Sequence, residues 1–147
     1  MSFRLRYPHE EIVERIPEGE SVTAVKGNLG YIDADGFAEE CASDAANIDF
    51  IFAEDAHNST TDGDDYIRVW RIKPGVEYSA KDIGVTEATD RGKLMGVVLA
   101  SSVHYVDTTD LSNDRVKVIG HDPRQAIGTT NGRVFVKFLN AVLETEI

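Results

Sequence analysis

The feature that most constrains this chain is the stretch at residues 64–80, DDYIRVWRIKPGVEYSA. Two β-rich runs, residues 66–73 and 76–80, flank Pro74-Gly75. Proline presets φ near about −65° and glycine accepts positive φ, the pair that suits the middle of a type II turn. Successive side chains of an extended strand point to opposite sides. Ile67 and Val69 therefore face one way, and Tyr66, Trp70 and Ile72 the other. Arg68, Arg71 and Lys73 are spread over both faces, so neither face is purely core. The pattern predicts a hairpin whose first strand lies at the centre of a β-sheet, buried at one end and open to an edge or partner at the other.

The other apolar runs read as strands packed around it. Strands are expected at residues 21–26 (SVTAVK), 48–53 (IDFIFA), 66–73, 94–100 (LMGVVLA), 115–119 (RVKVI) and 133–138 (RVFVKF). A short run begins at Tyr31, and residues 103–106 continue the 94–100 strand after a bend at Ser101-Ser102. Asp33-Ala-Asp-Gly36 has turn composition, and the Ala- and Glu-rich stretch at 37–46 is compatible with one or two helical turns. Residues 54–65, EDAHNSTTDGDD, form the most polar segment and read as a long exposed loop. About eight short runs with Gly-rich turns indicate an all-β fold, a mostly antiparallel β-sandwich or barrel. Phe50, Phe52, Val69, Val97, Leu99, Val134, Val136 and Phe138 are its expected core.

Residues 1–20 read as an N-terminal arm on a single β-domain at 21–147. Residues 2–7 can be extended. Pro8 then opens HEEIVERI, with acidic residues in a first helical turn and Ile12 and Ile16 at i, i+4. Pro17 ends that short helix at about Ile16. A helix of this length is marginal alone and needs a surface to pack on. Phe3, Leu5, Tyr7, Ile12 and Ile16 are many apolar groups for a solvated tail, and Arg4, Arg6 and Arg15 lie among them. Aromatic and arginine anchors have the composition of an interface hot spot. Phe3, Arg4, Leu5, Arg6, Tyr7, Ile12 and Ile16 are therefore the expected partner contacts.

Composition narrows the partners. Formal net charge is −11, from 26 acidic and 15 basic residues. Binding to nucleic acid needs clustered Lys and Arg to neutralise phosphates, and docking on anionic lipid needs the same; neither fits. No apolar run approaches the roughly 20 residues of a membrane span. The N-terminus turns charged where a signal peptide would turn apolar, so the protein is expected to be made in the cytoplasm and to work there or leave by cell lysis. Cys41 is the only cysteine, which rules out an internal disulfide.

No motif spells out catalysis. Asp33-x-Asp35-Gly36 would need an oxygen ligand at Tyr31 and a glutamate at Ala42 to be an EF-hand loop. The acidic stretch at 62–65 could hold a hard cation only loosely. His9, His57, His104 and His121 show no zinc-ligand spacing. Ser101, Ser102, His104 and Asp107 do not have the separation of a triad, and no nucleophile elbow is present. Glu39 and Glu40 would raise the pKa of Cys41 and blunt its nucleophilicity. No catalytic, cofactor-binding or metal-ligating residue is expected, and no cofactor. Gly30-Tyr-Ile-Asp33-Ala-Asp35 resembles one motif of the dUTP pyrophosphatases, with Asp33 at the catalytic position. That motif lies mid-chain in the family, between a serine-containing motif and a glycine-rich C-terminal one; here it comes early and the C-terminal motif is missing.

The order of features resembles the head decoration (cement) proteins of tailed bacteriophages. Lys26-Gly-Asn-Leu-Gly30, Asp33-Ala-Asp-Gly36, Phe50-Ile-Phe-Ala-Glu-Asp55 and Val69-Trp-Arg-Ile-Lys-Pro-Gly-Val-Glu-Tyr78 match that family's strand, turn and hairpin patterns in sequence. The resemblance covers about residues 20–80. It implies an all-β fold without catalysis, bound to the major capsid protein on the outside of the virion, often as homotrimers. Two other classes remain open: another phage structural β-domain (tail, spike or head completion), and a small β-fold enzyme or carbohydrate-binding module. A sugar-binding face would have to come from Tyr66, Trp70 and Tyr78.

Overall fold

In the computed structural model, which describes residues 1–7 and 12–143, the apolar runs form eleven strands and, among the described residues, no α-helix. In chain order these are β1 (Arg4–Leu5), β2 (Val13–Pro17), β3 (Leu29–Ile32), β4 (Ala38–Glu40), β5 (Phe50–Phe52), β6 (Tyr66–Arg71), β7 (Tyr78–Lys81), β8 (Leu94–Ala100), β9 (Val103–Asp107), β10 (Val116–His121) and β11 (Arg133–Phe138). They make a six-stranded sheet, ordered β1-β7-β11-β10-β8-β9, and a five-stranded sheet, ordered β2-β6-β5-β3-β4. All the strand ladders are antiparallel. The fold is the expected antiparallel β-sandwich, built from eleven strands and not about eight. β6 does lie inside its sheet, between β2 and β5.

The six-stranded sheet rolls towards a half-barrel. Asp82, just after β7, forms a parallel bridge to Val106 of β9, and the Ile83 N–H donates to the Val106 carbonyl at 3.0 Å. The buried Asp82 carboxylate ties this seam by accepting the Gly84 N–H and the Thr108 hydroxyl.

Alternation sorts the core into two layers. Between the sheets, Phe3, Ile51, Trp70 and Ile72 meet Tyr78, Met95, Val97, Val134, Val136 and Phe138. On the other face of the five-stranded sheet, Phe50, Phe52, Ile67 and Val69 pack with Ile16, Val22 and Ala24. β5 is thus buried on both faces. Of the expected core residues, Leu99 alone is half-buried. β10 pairs with β8 only at Leu94 and Met95, so the far half of β8 runs as a two-stranded ribbon with β9.

The other differences each have a physical reason. Residues 64–80 are not a hairpin: the turn forms, with Gly75 at φ 77° and the Val76 N–H bonded to the Lys73 carbonyl, but β6 and β7 belong to different sheets. Ile72 and Tyr78 both enter the inter-sheet core, so the chain crosses from one sheet to the other at Pro74-Gly75. The expected helix ending at Ile16 is not formed where its residues are described. Its first part, residues 8–11, lies outside them, and Val13–Pro17 is the edge strand β2, in register with β6 throughout. A full ladder outweighs one amphipathic turn, and Pro17 is tolerated at an edge. Residues 21–26 form no strand. Val22 and Ala24 are buried, and their carbonyls accept N–H groups from the polar loop, at Asn58 and Ala56. The stretch 37–46 contributes β4 and no helical turn. Ser101 and Ser102 both take positive φ, 50° and 64°, so β9 folds back on β8 through a two-residue turn instead of continuing it. That geometry normally advertises itself with Asn or Gly.

Candidate functional site

The arm is woven into both sheets. β1 is the edge strand of one and β2 of the other. Phe3 is fully buried, its ring 5.7 Å from that of Phe138, and Ile16 is buried against the outer layer of the five-stranded sheet. Arg4, Leu5 and Arg6 are half-buried, whereas Tyr7 and Ile12 are exposed. Of the seven residues expected to meet a partner, Phe3 and Ile16 thus anchor the arm in its own chain. Arg4, Leu5, Arg6 and Tyr7 come together along one wall of a groove of about 630 Å³.

The opposite wall and floor come from distant parts of the chain: Trp70 on β6, Phe135 on β11 and the loop carrying Asp122 and Arg124. The Arg6 guanidinium stacks 3.8 Å from the Phe135 ring centroid and 5.1 Å from that of Tyr7, and it pairs with Glu77 at 3.1 Å. Such stacking is a favourable cation–π arrangement. Arg124 clasps Asp122 with two nitrogens, and this guanidinium holds the Asp122 carboxyl down at about 2. Arg133 lies beneath, buried, donating to the carbonyls of Met1 and Ser2 and to the Ser79 hydroxyl. Burial, with Arg4 nearby, lowers its pKa to about 10. The Arg4 guanidinium has no ion pair or hydrogen bond among the described residues. Trp70, the only tryptophan, is 8% exposed, and its buried indole N–H finds no acceptor among the described residues.

Phe135, Arg124 and Arg133 carry no local signal that would place them beside the arm. In β11 only the alternate set Val134, Val136 and Phe138 is marked by its pattern as core, and Phe135 faces the other way under Arg6.

A second cluster fastens the polar loop. The Glu18 carboxylate is fully buried and accepts the His57 backbone N–H at 2.7 Å and its Nδ1 at 2.9 Å. His57 Nε2 lies 3.3 Å from Glu54, which also pairs with Arg68. The Glu18 hydrogen bond raises the His57 pKa. This contribution to stability is full below the unfolded pKa of His57 and is lost as pH rises through its raised folded value. Donor atoms of Glu18, His57 and Asp65 lie within 4.8 Å of one another, close enough to share a divalent ion. As arranged they serve the loop: Glu18 holds His57, and Asp65 accepts the Ser59 hydroxyl.

The remaining sequence candidates have structural roles. His104 is fully buried, accepting the Leu29 N–H at Nδ1 and donating from Nε2 to the Cys41 carbonyl. Ser101 and Ser102 form the adjoining turn. Burial first, then Asp49 and Glu40, pushes the Cys41 thiol pKa up. Asp33 closes its turn by accepting the N–H groups of Asp35 and Phe37. Burial first, and the neighbouring Asp110 carboxyl next, raise the Asp44 pKa. Tyr66 is exposed while Trp70 and Tyr78 are buried, so the three do not form one open aromatic platform. His9 lies outside the described residues.

Fold and groove together define a small, nearly all-β protein with two antiparallel sheets and a cationic, aromatic-walled groove at its N-terminal arm. In comparisons with known proteins, no family model, curated protein or solved structure matches the chain.

Proposed function

We propose that this protein is a non-enzymatic virion component that binds the outer surface of a phage capsid and stabilises it. Its partner in this reading is the major capsid protein, and it acts as a small oligomer, a homotrimer by the resemblance that residues 20–80 carry. The observation that supports the reading best is the arm. Phe3 and Ile16 fix it to its own sheets, which leaves Arg4, Leu5, Arg6 and Tyr7 along a groove. A clamp between shell subunits needs such a pre-organised contact, because ordering a loose tail would cost affinity. A net charge of −11 suits a component that must stay soluble and separate until it meets its shell.

The test is binding to shells assembled from the major capsid protein encoded beside this one. Co-sedimentation at saturable stoichiometry and a higher shell melting temperature are expected. Failure to bind expanded shells, or the lack of any capsid gene alongside, would overturn the proposal.

A further inference from the structure

The groove at the arm carries more positive charge than its own chain neutralises. Glu77 offsets Arg6, and Asp122 offsets Arg124. Arg133 is satisfied by carbonyl and hydroxyl oxygens, which leave its charge standing. Arg4 makes no ion pair or hydrogen bond among the described residues; Asp122 lies within its electrostatic reach but is already clasped by Arg124, and Arg4 is half-buried at the groove wall. Four guanidinium groups, of Arg4, Arg6, Arg124 and Arg133, thus face the two carboxylates of Glu77 and Asp122, a local reversal of sign in a chain of net charge −11. β1 is also the edge strand of its sheet, a position at which a further strand can add, although the Phe3 N–H just before it is already bonded to the Gly27 carbonyl.

We infer that this groove docks an extended, acidic segment of a partner protein, which runs beside β1 and sets a carboxylate on Arg4. An arginine fork matches a carboxylate in two parallel hydrogen bonds. Trp70, Phe135 and Tyr7 supply apolar walls for the segment's alternate side chains. Nucleic acid fits less well: the free charge amounts to two groups, and the acidic remainder of the surface repels a phosphate backbone. The inference rests on reading the arm as the contact surface and names the chemistry of what it contacts.

Trp70, the only tryptophan and part of the groove wall, makes a built-in reporter. The probe is a blocked hexapeptide of alternating valine and glutamate, titrated at low salt while Trp70 emission is followed. The controls are its lysine counterpart and a single-stranded oligonucleotide. A saturable change with the glutamate peptide only is expected, weakened about tenfold or more in Arg4→Gln. Arg4→Lys should retain part of the binding, and Arg15→Gln, on exposed β2 outside the groove, all of it. The Arg4 side chain makes no internal bond, so its variants should melt with the wild type; Arg124→Gln, which leaves Asp122 uncompensated beside Arg4, should also weaken binding. Equal response to the lysine peptide, preference for the oligonucleotide, or unchanged binding in Arg4→Gln would overturn the inference. If wild-type protein binds shells but not the glutamate peptide, this inference falls and the proposed function stands. If it binds the peptide but no shell, the reverse holds.

Discussion

At the scale of single residues, His104 shows how burial decides protonation. It is fully enclosed, its two ring nitrogens joining β3 to the segment after β4, and burial lowers its pKa to about 4. An unfolded histidine titrates near about 6.5. Between these values the unfolded chain binds the extra proton, so stability is full above about pH 6.5 and falls as pH drops towards about 4. The shift corresponds to about 3 kcal/mol. Denaturant titrations at pH 7 and pH 4.5 should show a smaller loss in His104→Gln than in wild type, although the variant starts lower for want of a hydrogen bond. Equal losses in both would remove His104 as the cause. In the sequence this histidine is one of four with no distinguishing neighbour. Its polar flank, Ser101-Ser102, suggests surface, because the bonds that make burial tolerable come from Leu29 and Cys41, more than sixty residues away.

At the scale of elements, Gly30 fixes how β3, β4 and β5 come together. A Cβ added there would lie 2.3 Å from the Phe50 ring and 2.8 Å from the Glu39 carbonyl. Phe50 is held edge-on to Phe52 at 5.1 Å and cannot swing aside cheaply. Gly30→Ala should therefore destabilise by about 1–3 kcal/mol, the usual range for overpacking a filled core. Pairing it with Phe50→Leu should recover part of the loss; a neutral Gly30→Ala would show that the sheet gives way more easily. Element by element, legibility follows the strength of the local pattern. The runs Leu94–Ala100 and Arg133–Phe138 have in the structure the bounds their apolar pattern predicts. β2 was hidden because Pro8 and the i, i+4 isoleucines satisfy a helical pattern equally well, and only pairing with β6 decides between them. The crossing at Pro74-Gly75 was hidden for a related reason: a turn signal gives the bend but not which neighbours the two flanking strands will find. The groove was half legible, its arm side from aromatic and arginine content, its far wall only once β11 is placed beside β7.

At the scale of the whole molecule, the question is whether the arm is an appendage or part of the folding unit. Phe3 sits in the inter-sheet core with Trp70 from one sheet and Tyr78, Val136 and Phe138 from the other. Arg133, buried on β11, donates to the carbonyls of Met1 and Ser2, so the arm also satisfies a charge that would otherwise be stranded. Removing residues 2–16 takes away β1, most of β2 and Phe3 together, and the truncated chain should fail to fold instead of yielding an intact domain without its clamp. Point variants are for that reason the better probes of binding. Phe3→Ala should cost about 3–5 kcal/mol, as for other fully buried phenylalanines. Because one core layer is shared by both sheets, Trp70 emission and far-UV circular dichroism should report the same denaturant midpoint in wild type and in Phe3→Ala. A folded truncation, or two separated transitions, would mean that the arm and the β-domain are energetically independent, and deletion would then become a fair test of shell binding.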